Sequence, residues 1–77
     1  MDNSLMPLAM VRPGDQVTLV TINAGRGLTR RLADMGLYPG ASLRVIQGHP
    51  GPLLLQVGAA KLALGHGIAL KILVKVM

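Results

Sequence analysis

Apolar and polar residues alternate along five segments of the chain, and this period-two pattern predicts five short β-strands. The side chains of a strand point alternately to its two faces, so each segment has one face that can pack against a core. A hairpin turn over residues 58–61 is expected between the third and fourth strands. The predicted strands lie at residues 15–22, 41–47, 53–57, 62–64 and 70–76.

One segment between the first two strands has a helical period instead. Leu28, Leu32 and Met35 are spaced at i, i+4 and i+7, which places them on one face of a short helix. Gly36 follows where a helix often ends with a left-handed residue, and Leu37 is then expected to contact Leu32 in a Schellman motif. The sequence therefore predicts one short α-helix, inserted after the first strand and ended at Gly36.

Two Pro-Gly pairs predict type II turns, because proline fits the second position of such a turn and glycine the third. Loops are expected where glycine and proline cluster, and a single helical turn is compatible with residues 68–69. The predicted turns lie at residues 12–15 and 38–41, and the predicted loops at residues 23–27, 48–52 and 65–67.

Residues 1–7 have little pattern and are predicted to form a loose tail, whereas residues 8–77 are predicted to form a single domain. Leu5, Leu8 and Val11 are expected to tuck under the sheet. About five strands and one helix in 77 residues favour a mostly β fold that is closed or nearly closed into a barrel. Such closure leaves the fewest exposed sheet edges.

The chain is 51% hydrophobic and contains one aromatic residue, Tyr38. A chain of this length buries about 60% of the surface that its unfolded form exposes, so part of the apolar surface is expected to stay exposed. That surface predicts a partner or a homodimer, through a strand edge or through residues 53–55, where three successive leucines cannot all face the core. The absence of cysteine excludes disulfides and thiolate metal sites.

Eight Lys/Arg residues against three Asp residues give a net charge of +5, which suits nucleic acid, an anionic membrane surface or an acidic protein. Most basic residues stand singly, and nucleic-acid-binding barrels normally add several aromatic side chains for stacking. A nucleic-acid-binding small basic barrel is therefore the alternative interpretation. The chain begins without a secretory pattern and has no segment as long as a membrane span, so we expect a cytoplasmic protein.

Residues suited to catalysis or metal binding are sparse. The aspartates lie far apart, glutamate is absent and no glycine-rich phosphate-binding pattern occurs, so we do not expect an enzyme. His49 and His66 lie in different predicted loops, each without a second ligand nearby. We assign no metal or cofactor, although two chains together could offer four imidazoles at a symmetric contact.

The adjacent cations Arg30 and Arg31 are the strongest candidates for a binding site. In the first turn of the predicted helix they would oppose the helix dipole, which favours acidic residues there. Asp34, four residues after Arg30, would offset part of this cost. A pair that breaks a local rule is typical of function. We therefore predict a partner-binding face formed by Arg30, Arg31, Met35 and Tyr38.

The order of these parts resembles the bacterial FeoA family. Pro-Gly-Asp at residues 13–15 precedes the first strand, and residues 31–40 match the form R-L-A-x-M-G-L-x-P-G, which is the most specific part of the resemblance. The match covers roughly residues 8–76. It departs from the family at residues 65–67, where Gly-His-Gly replaces the more usual charged helix formers.

This resemblance implies an SH3-like β-barrel that acts as a small cytoplasmic accessory of ferrous iron uptake. The implied partner is FeoB, the membrane permease with a cytoplasmic GTP-binding domain, so the membrane would be met only through the permease. Arg30 and Arg31 would then pair with carboxylates of the permease, or approach the phosphates of its GTP as an arginine finger does. No catalytic or metal-binding position carries over from the family.

Overall fold

The computed structural model describes residues 4–48 and 50–77. In chain order the elements are β1 (Met6–Pro7), a 3₁₀ helix (Leu8–Met10), β2 (Gln16–Ile22), α1 (Arg26–Asp34), β3 (Ser42–Gln47), β4 (Leu53–Val57), β5 (Ala60–Leu64), α2 (His66–Ala69) and β6 (Ile72–Val76). A mostly β fold with a short helix after the first predicted strand is therefore confirmed. None of the helices in the described residues has the length and hydrophobicity of a membrane span.

The strands form one antiparallel six-stranded sheet in the order β1-β6-β2-β3-β4-β5. The register shifts between Leu19 and Thr21 in the β2–β6 pair, and between Val45 and Gln47 in the β3–β4 pair. Such irregularities bend strands, which helps a sheet to curl around a core. β1 and β5 are the two edges of this sheet.

The sheet packs around an aliphatic core. Its side chains come from alternate positions of β2, β3, β4 and β6, as the period-two pattern predicts. Leu32 and Leu37 add to the core from the end of α1, and Leu8 and Val11 from the amino-terminal segment. Leu5 stays exposed, so two of the three residues expected under the sheet are buried there.

Part of the apolar surface remains exposed, as the length of the chain predicts. Leu53 and Leu55 are buried, whereas Leu54 points to the other face of β4 and is half-buried. The large apolar side chains that are exposed are Leu5, Met10, Met35, Tyr38, Ile46, Leu70, Val76 and Met77.

α1 ends in the predicted Schellman motif. The N–H of Leu37 donates to the C=O of Leu32 (2.8 Å), and the N–H of Gly36 donates to the C=O of Ala33 (2.9 Å). Gly36 has a φ of +92°, which glycine adopts readily and other residues adopt at a cost. Leu32 and Leu37 belong to the same buried cluster, so apolar packing and hydrogen bonds together fix the end of the helix.

The two type II turns also form where they are predicted. In each turn the fourth residue donates its N–H to the C=O of the first, Asp15 to Arg12 at 3.1 Å and Ala41 to Tyr38 at 3.0 Å. Gly40, at the third position of the second turn, has a φ of +96°. This second turn carries the chain from the end of α1 into β3.

The hairpin between β4 and β5 is tighter than predicted. A four-residue turn over residues 58–61 is wrong, because Gly58 and Ala59 alone form the turn and Ala60 already pairs with Val57. Gly58 has a φ of +60°, as the first central residue of a type II′ turn requires, and this turn suits a two-residue hairpin. β5 therefore begins two residues earlier than predicted.

The last strand is shorter than predicted. α2 covers His66–Ala69, and the N–H groups of Leu70 and Lys71 donate to carbonyl groups of this helix. These two residues end α2, so β6 begins at Ile72 and not at residue 70.

The first strand was not predicted, because Met6–Pro7 is too short to show a period. These residues pair with β6. Residues 1–3 lie outside the described part of the chain, so the division into a tail (residues 1–7) and a domain (residues 8–77) stays a prediction.

Candidate partner-binding groove

α1 begins earlier than the spacing of its leucines indicates. Its first residue is Arg26, with Gly25 as the N-cap, and the N–H of Thr29 donates to the C=O of Gly25 (3.0 Å). The Thr29 hydroxyl donates to the C=O of Ala24 (3.3 Å), which ties the helix to the preceding loop. Part of the loop predicted over residues 23–27 therefore forms the first turn of the helix.

This start overturns the argument that singled out Arg30 and Arg31. They do not lie in the first turn, and Arg31 lies in the last turn, where the negative end of the helix dipole favours a cation. The prediction that these arginines oppose the helix dipole is therefore wrong, and it gives no evidence of a function. Neither arginine forms an ion pair or side-chain hydrogen bond with another described residue, Asp34 included. Both side chains are exposed.

A groove of about 270 Å³ lies between α1 on one side and β5 and α2 on the other. The buried side chains of Leu32 and Leu64 form its floor, and the half-buried Leu28 and Ile68 form its walls. Met35 lines the groove just beyond the last residue of α1 and is 38% exposed. The groove is therefore an open, mostly aliphatic surface.

Two small residues keep the groove open. Ala63 of β5 and Gly65, the N-cap of α2, both line it. A Cβ atom at Gly65 would meet no atom within 4 Å, and Gly65 has a φ of −65°, which any L-residue can adopt. A larger side chain at Gly65 would therefore extend from the lining of the groove without straining the backbone.

One residue that lines the groove is a cation, and a second cation lies on the neighbouring strand β5. Arg31 is the charged residue among those that line it. Lys61 lies two residues before Ala63 on β5, so these two side chains point to the same face, and both are exposed. An aliphatic groove with Arg31 in its lining and Lys61 on the strand beside it suits an apolar side chain that is accompanied by a carboxylate.

The structure brings together two of the four residues predicted to bind a partner. Arg31 and Met35 both line the groove. Arg30 and Tyr38 are exposed but are not among its lining residues. Arg30 is rotated by about 100° from Arg31 around the helix, and Tyr38 opens the type II turn beyond the helix.

The other half of the groove was missed by the sequence analysis. Leu64, Gly65 and Ile68 come from the junction of β5 and α2, far from α1 in the sequence, and no local pattern joins the two segments. The available signal was the break in apolar alternation at residues 65–67, after which apolar residues resume at Ile68. That break marks a change of direction at the end of a strand.

A second concavity, of about 470 Å³, is more polar. Gln16, Arg44 and Gln56 line it, and the register places Arg44 opposite both glutamines on neighbouring strands. Arg44 is the charged residue among its described lining, and Tyr38 is not part of it. Nucleic-acid binding on small barrels normally combines clustered cations with aromatic stacking, and this concavity does not offer that combination.

No group of three or more His, Cys, Asp or Glu side chains in the described residues is arranged to hold a metal ion. His66 begins α2, and His49 lies outside the described residues. A metal site shared between two chains stays a prediction.

The antiparallel sheet, the helix inserted after β2 and the open groove together define a small SH3-like domain with a surface suited to binding. Known proteins place this domain in a family. The model of the FeoA domain matches residues 6–76, so the chain belongs to the FeoA family. A candidate Fe(2+) transport protein A of Methanocaldococcus jannaschii is 37% identical over 71 residues, which are 92% of this chain and 87% of that protein.

Solved structures agree with this assignment. The crystal structure of an iron uptake regulatory protein (FeoA) superimposes with a TM-score of 0.90 at 36% identity, and the match covers 96% of this chain and 100% of that one. Stenotrophomonas maltophilia FeoA, solved in complex with zinc and described as a procaryotic SH3 domain protein, has a TM-score of 0.79 at 28% identity. That match covers 91% of this chain and 89% of the other. The implied SH3-like fold is therefore confirmed.

Proposed function

We propose that this chain is a non-enzymatic, cytoplasmic accessory of ferrous iron uptake that binds the cytoplasmic part of a FeoB-type permease. Membership of the FeoA family and the similarity to a candidate Fe(2+) transport protein support the transport role. The observation that carries the proposal is the groove between α1, β5 and α2, because its surface is concave, open and mostly apolar. Exposed apolar surface of this kind is typical of a site that a partner covers.

The apolar residues of the groove supply most of the proposed contact. Leu28 and Ile68 are half-buried, so a partner side chain between them would complete their burial. Met35 has a flexible, polarisable side chain that adapts to the shape of a ligand. Binding energy at protein interfaces is usually concentrated in such central apolar contacts.

Arg31 supplies the proposed polar contact. Its guanidinium group has no partner among the described residues and can form a bidentate pair with a carboxylate of the permease. Arg30 and Tyr38, which lie outside the groove, stay in the proposed face as contacts at its margin. We expect them to contribute less, because exposed marginal contacts are weak.

The test is to place a larger side chain in the groove and to measure binding to the permease. Isothermal titration calorimetry compares the wild-type chain with Gly65→Leu, using the purified cytoplasmic part of the permease as the ligand. Because the added side chain occupies the groove, we expect Gly65→Leu to weaken binding by about tenfold or more.

Gly25→Leu is the matched control. Gly25 is the N-cap of α1 as Gly65 is of α2, and its φ and ψ of −69° and 171° resemble the −65° and 153° of Gly65. A Cβ atom at Gly25 also meets no atom within 4 Å, and Gly25 does not line the groove. Equal binding by the two folded variants would contradict the proposal, and so would an absence of binding by the wild-type chain.

A further inference from the structure

We infer that the partner binds as an extended segment that adds a strand to the free edge of β5 and places an apolar side chain in the groove. This inference rests on the proposed function, because it specifies how the same groove is occupied. It commits the partner to strand pairing and not to the docking of a helix.

β5 has an open edge. Within the part of the chain that the structure describes, β5 pairs with β4 alone, and Ala60, Lys61 and Ala63 are exposed. Natural edge strands are often blunted by charged side chains, especially lysine, by proline or by a bulge. β5 carries one lysine, contains no proline and keeps a regular register with β4 over all five of its residues. It is therefore available as a template for another strand.

The hairpin indicates which backbone groups of β5 are open. A type II′ turn closes with hydrogen bonding between Val57 and Ala60, and bonded and non-bonded pairs alternate along an antiparallel ladder. Leu62 therefore directs its N–H and C=O groups to β4, whereas Lys61 and Ala63 direct theirs away from it. These two residues present donors and acceptors to an added strand.

The open edge leads into the groove. Ala63 belongs to the edge and also lines the groove, and Leu64 and Gly65 continue that lining. A segment paired along β5 therefore passes the mouth of the groove. Because its side chains alternate between two faces, an apolar residue can enter the groove while its neighbours point elsewhere. In strand addition, main-chain hydrogen bonds give affinity and such a pocket gives specificity.

Charge identifies the occupant. A second copy would bring together two chains that each carry a net charge of +5, and pairing β5 with β5 would bring Lys61 of both copies to the same interface. Like charges across a strand pair are unfavourable. Arg31 on the groove and Lys61 on the edge would instead attract carboxylates of a partner. The acid nearest to Arg31 along α1 is Asp34, and it forms no ion pair with Arg31. The occupant is therefore a segment of the permease in which Asp or Glu flanks an apolar residue.

The first test measures amide hydrogen exchange of the wild-type chain, alone and saturated with the cytoplasmic part of the permease. We expect exchange at Lys61 and Ala63 to slow by about tenfold or more in the complex, because their N–H groups become hydrogen-bonded. The amide of Met6, on the opposite edge strand, is the internal control and should not change. Binding that leaves Lys61 and Ala63 unprotected would overturn strand addition while leaving the proposed function intact.

The second test removes one backbone hydrogen-bond donor from the free edge of β5. Ala63→Pro deletes an outward N–H, a change that an edge strand tolerates, and Ala63→Ser keeps the N–H in a side chain of similar size. We expect the proline variant to bind about tenfold more weakly or worse, and the serine variant to bind within about twofold of wild type. Equal binding by both variants would overturn the inference.

A melting curve first establishes that the proline variant folds. Where it does not, the exchange experiment on the wild-type chain decides alone. An absence of wild-type binding would overturn the proposed function and the inference together.

Discussion

Replacing Gly36 by alanine should destabilise the domain by two separable effects. The φ of +92° at Gly36 lies in the left-handed region, where a side chain costs about 1–2 kcal/mol. A Cβ atom at this position would also lie 3.1 Å from Cγ1 of Val57, closer than an ordinary van der Waals contact. The end of α1 therefore lies so close to the end of β4 that a Cβ atom at Gly36 would force the Val57 side chain to shift by a few tenths of an ångström.

Gly40 separates the two effects. It has a similar φ of +96°, but a Cβ atom there would meet nothing within 4 Å. Gly40→Ala should therefore cost about 1–2 kcal/mol from the backbone alone. Gly36→Ala should cost about 1–3 kcal/mol more, the usual range for overpacking. Each kcal/mol should lower the melting temperature by about 4–8 °C in a domain of this size.

Urea unfolding of both variants measures these free energies. A double-mutant cycle that combines Gly36→Ala with Val57→Ala measures the contribution of the contact between the new Cβ atom and Cγ1 of Val57. Shortening Val57 removes Cγ1, so the double variant should be more stable than the sum of the single effects predicts, by about 1 kcal/mol. Equal destabilisation at Gly36 and Gly40, with no coupling to Val57, would refute the close approach of α1 and β4. No loss of stability at either glycine would refute their positive φ angles.

Three further predictions concern the core, the arginines and self-association. Leu32→Ala should lower the free energy of unfolding by about 2–5 kcal/mol, since Leu32 is buried; an unchanged melting temperature would contradict its place in the core. Arg31→Ala should weaken permease binding and flatten its salt dependence more than Arg30→Ala does, and equal titration curves would argue against the groove. A loss of about 10³-fold in stimulated GTP hydrolysis at saturating Arg31→Ala would instead identify an arginine finger. The predicted self-association at millimolar protein should strengthen with added salt, which screens the +5 charge, and sedimentation showing a strict monomer at every salt concentration would exclude it.

The segment from α1 to β3 could be predicted from the sequence because short-range rules determine it. A glycine at the end of a helical period and a Pro-Gly pair after it each have one favoured conformation. The start of α1 could not be predicted, because Gly25 and Gly27 are typical of loops. The cap at Gly25 has no side-chain hydrogen bond, so no polar side chain marks the start of the helix in the sequence.

The groove could be predicted in part. Arg31 and Met35, which line it, are among the residues predicted to bind a partner, but the reason given for Arg31 is wrong, since Arg31 lies at the favourable end of the helix dipole. The opposite wall depends on how far β5 extends and on where α2 begins. Both follow from the two-residue turn at Gly58 and from tertiary packing, neither of which a periodic pattern encodes. Small residues such as Ala63 and Gly65 leave the groove unfilled, and no sequence pattern indicates where small residues will border a groove in the fold.

Ferrous iron uptake by cells tests most directly whether the groove serves iron transport. The cells carry wild-type chain, Gly65→Leu or Gly25→Leu in place of their own copy, at matched protein levels, and accumulation of radioactive iron is measured under reducing conditions. We predict that Gly65→Leu lowers uptake toward the level of cells that lack the protein, whereas Gly25→Leu supports wild-type uptake. Wild-type uptake by cells with folded Gly65→Leu protein would contradict a role for the groove in iron transport.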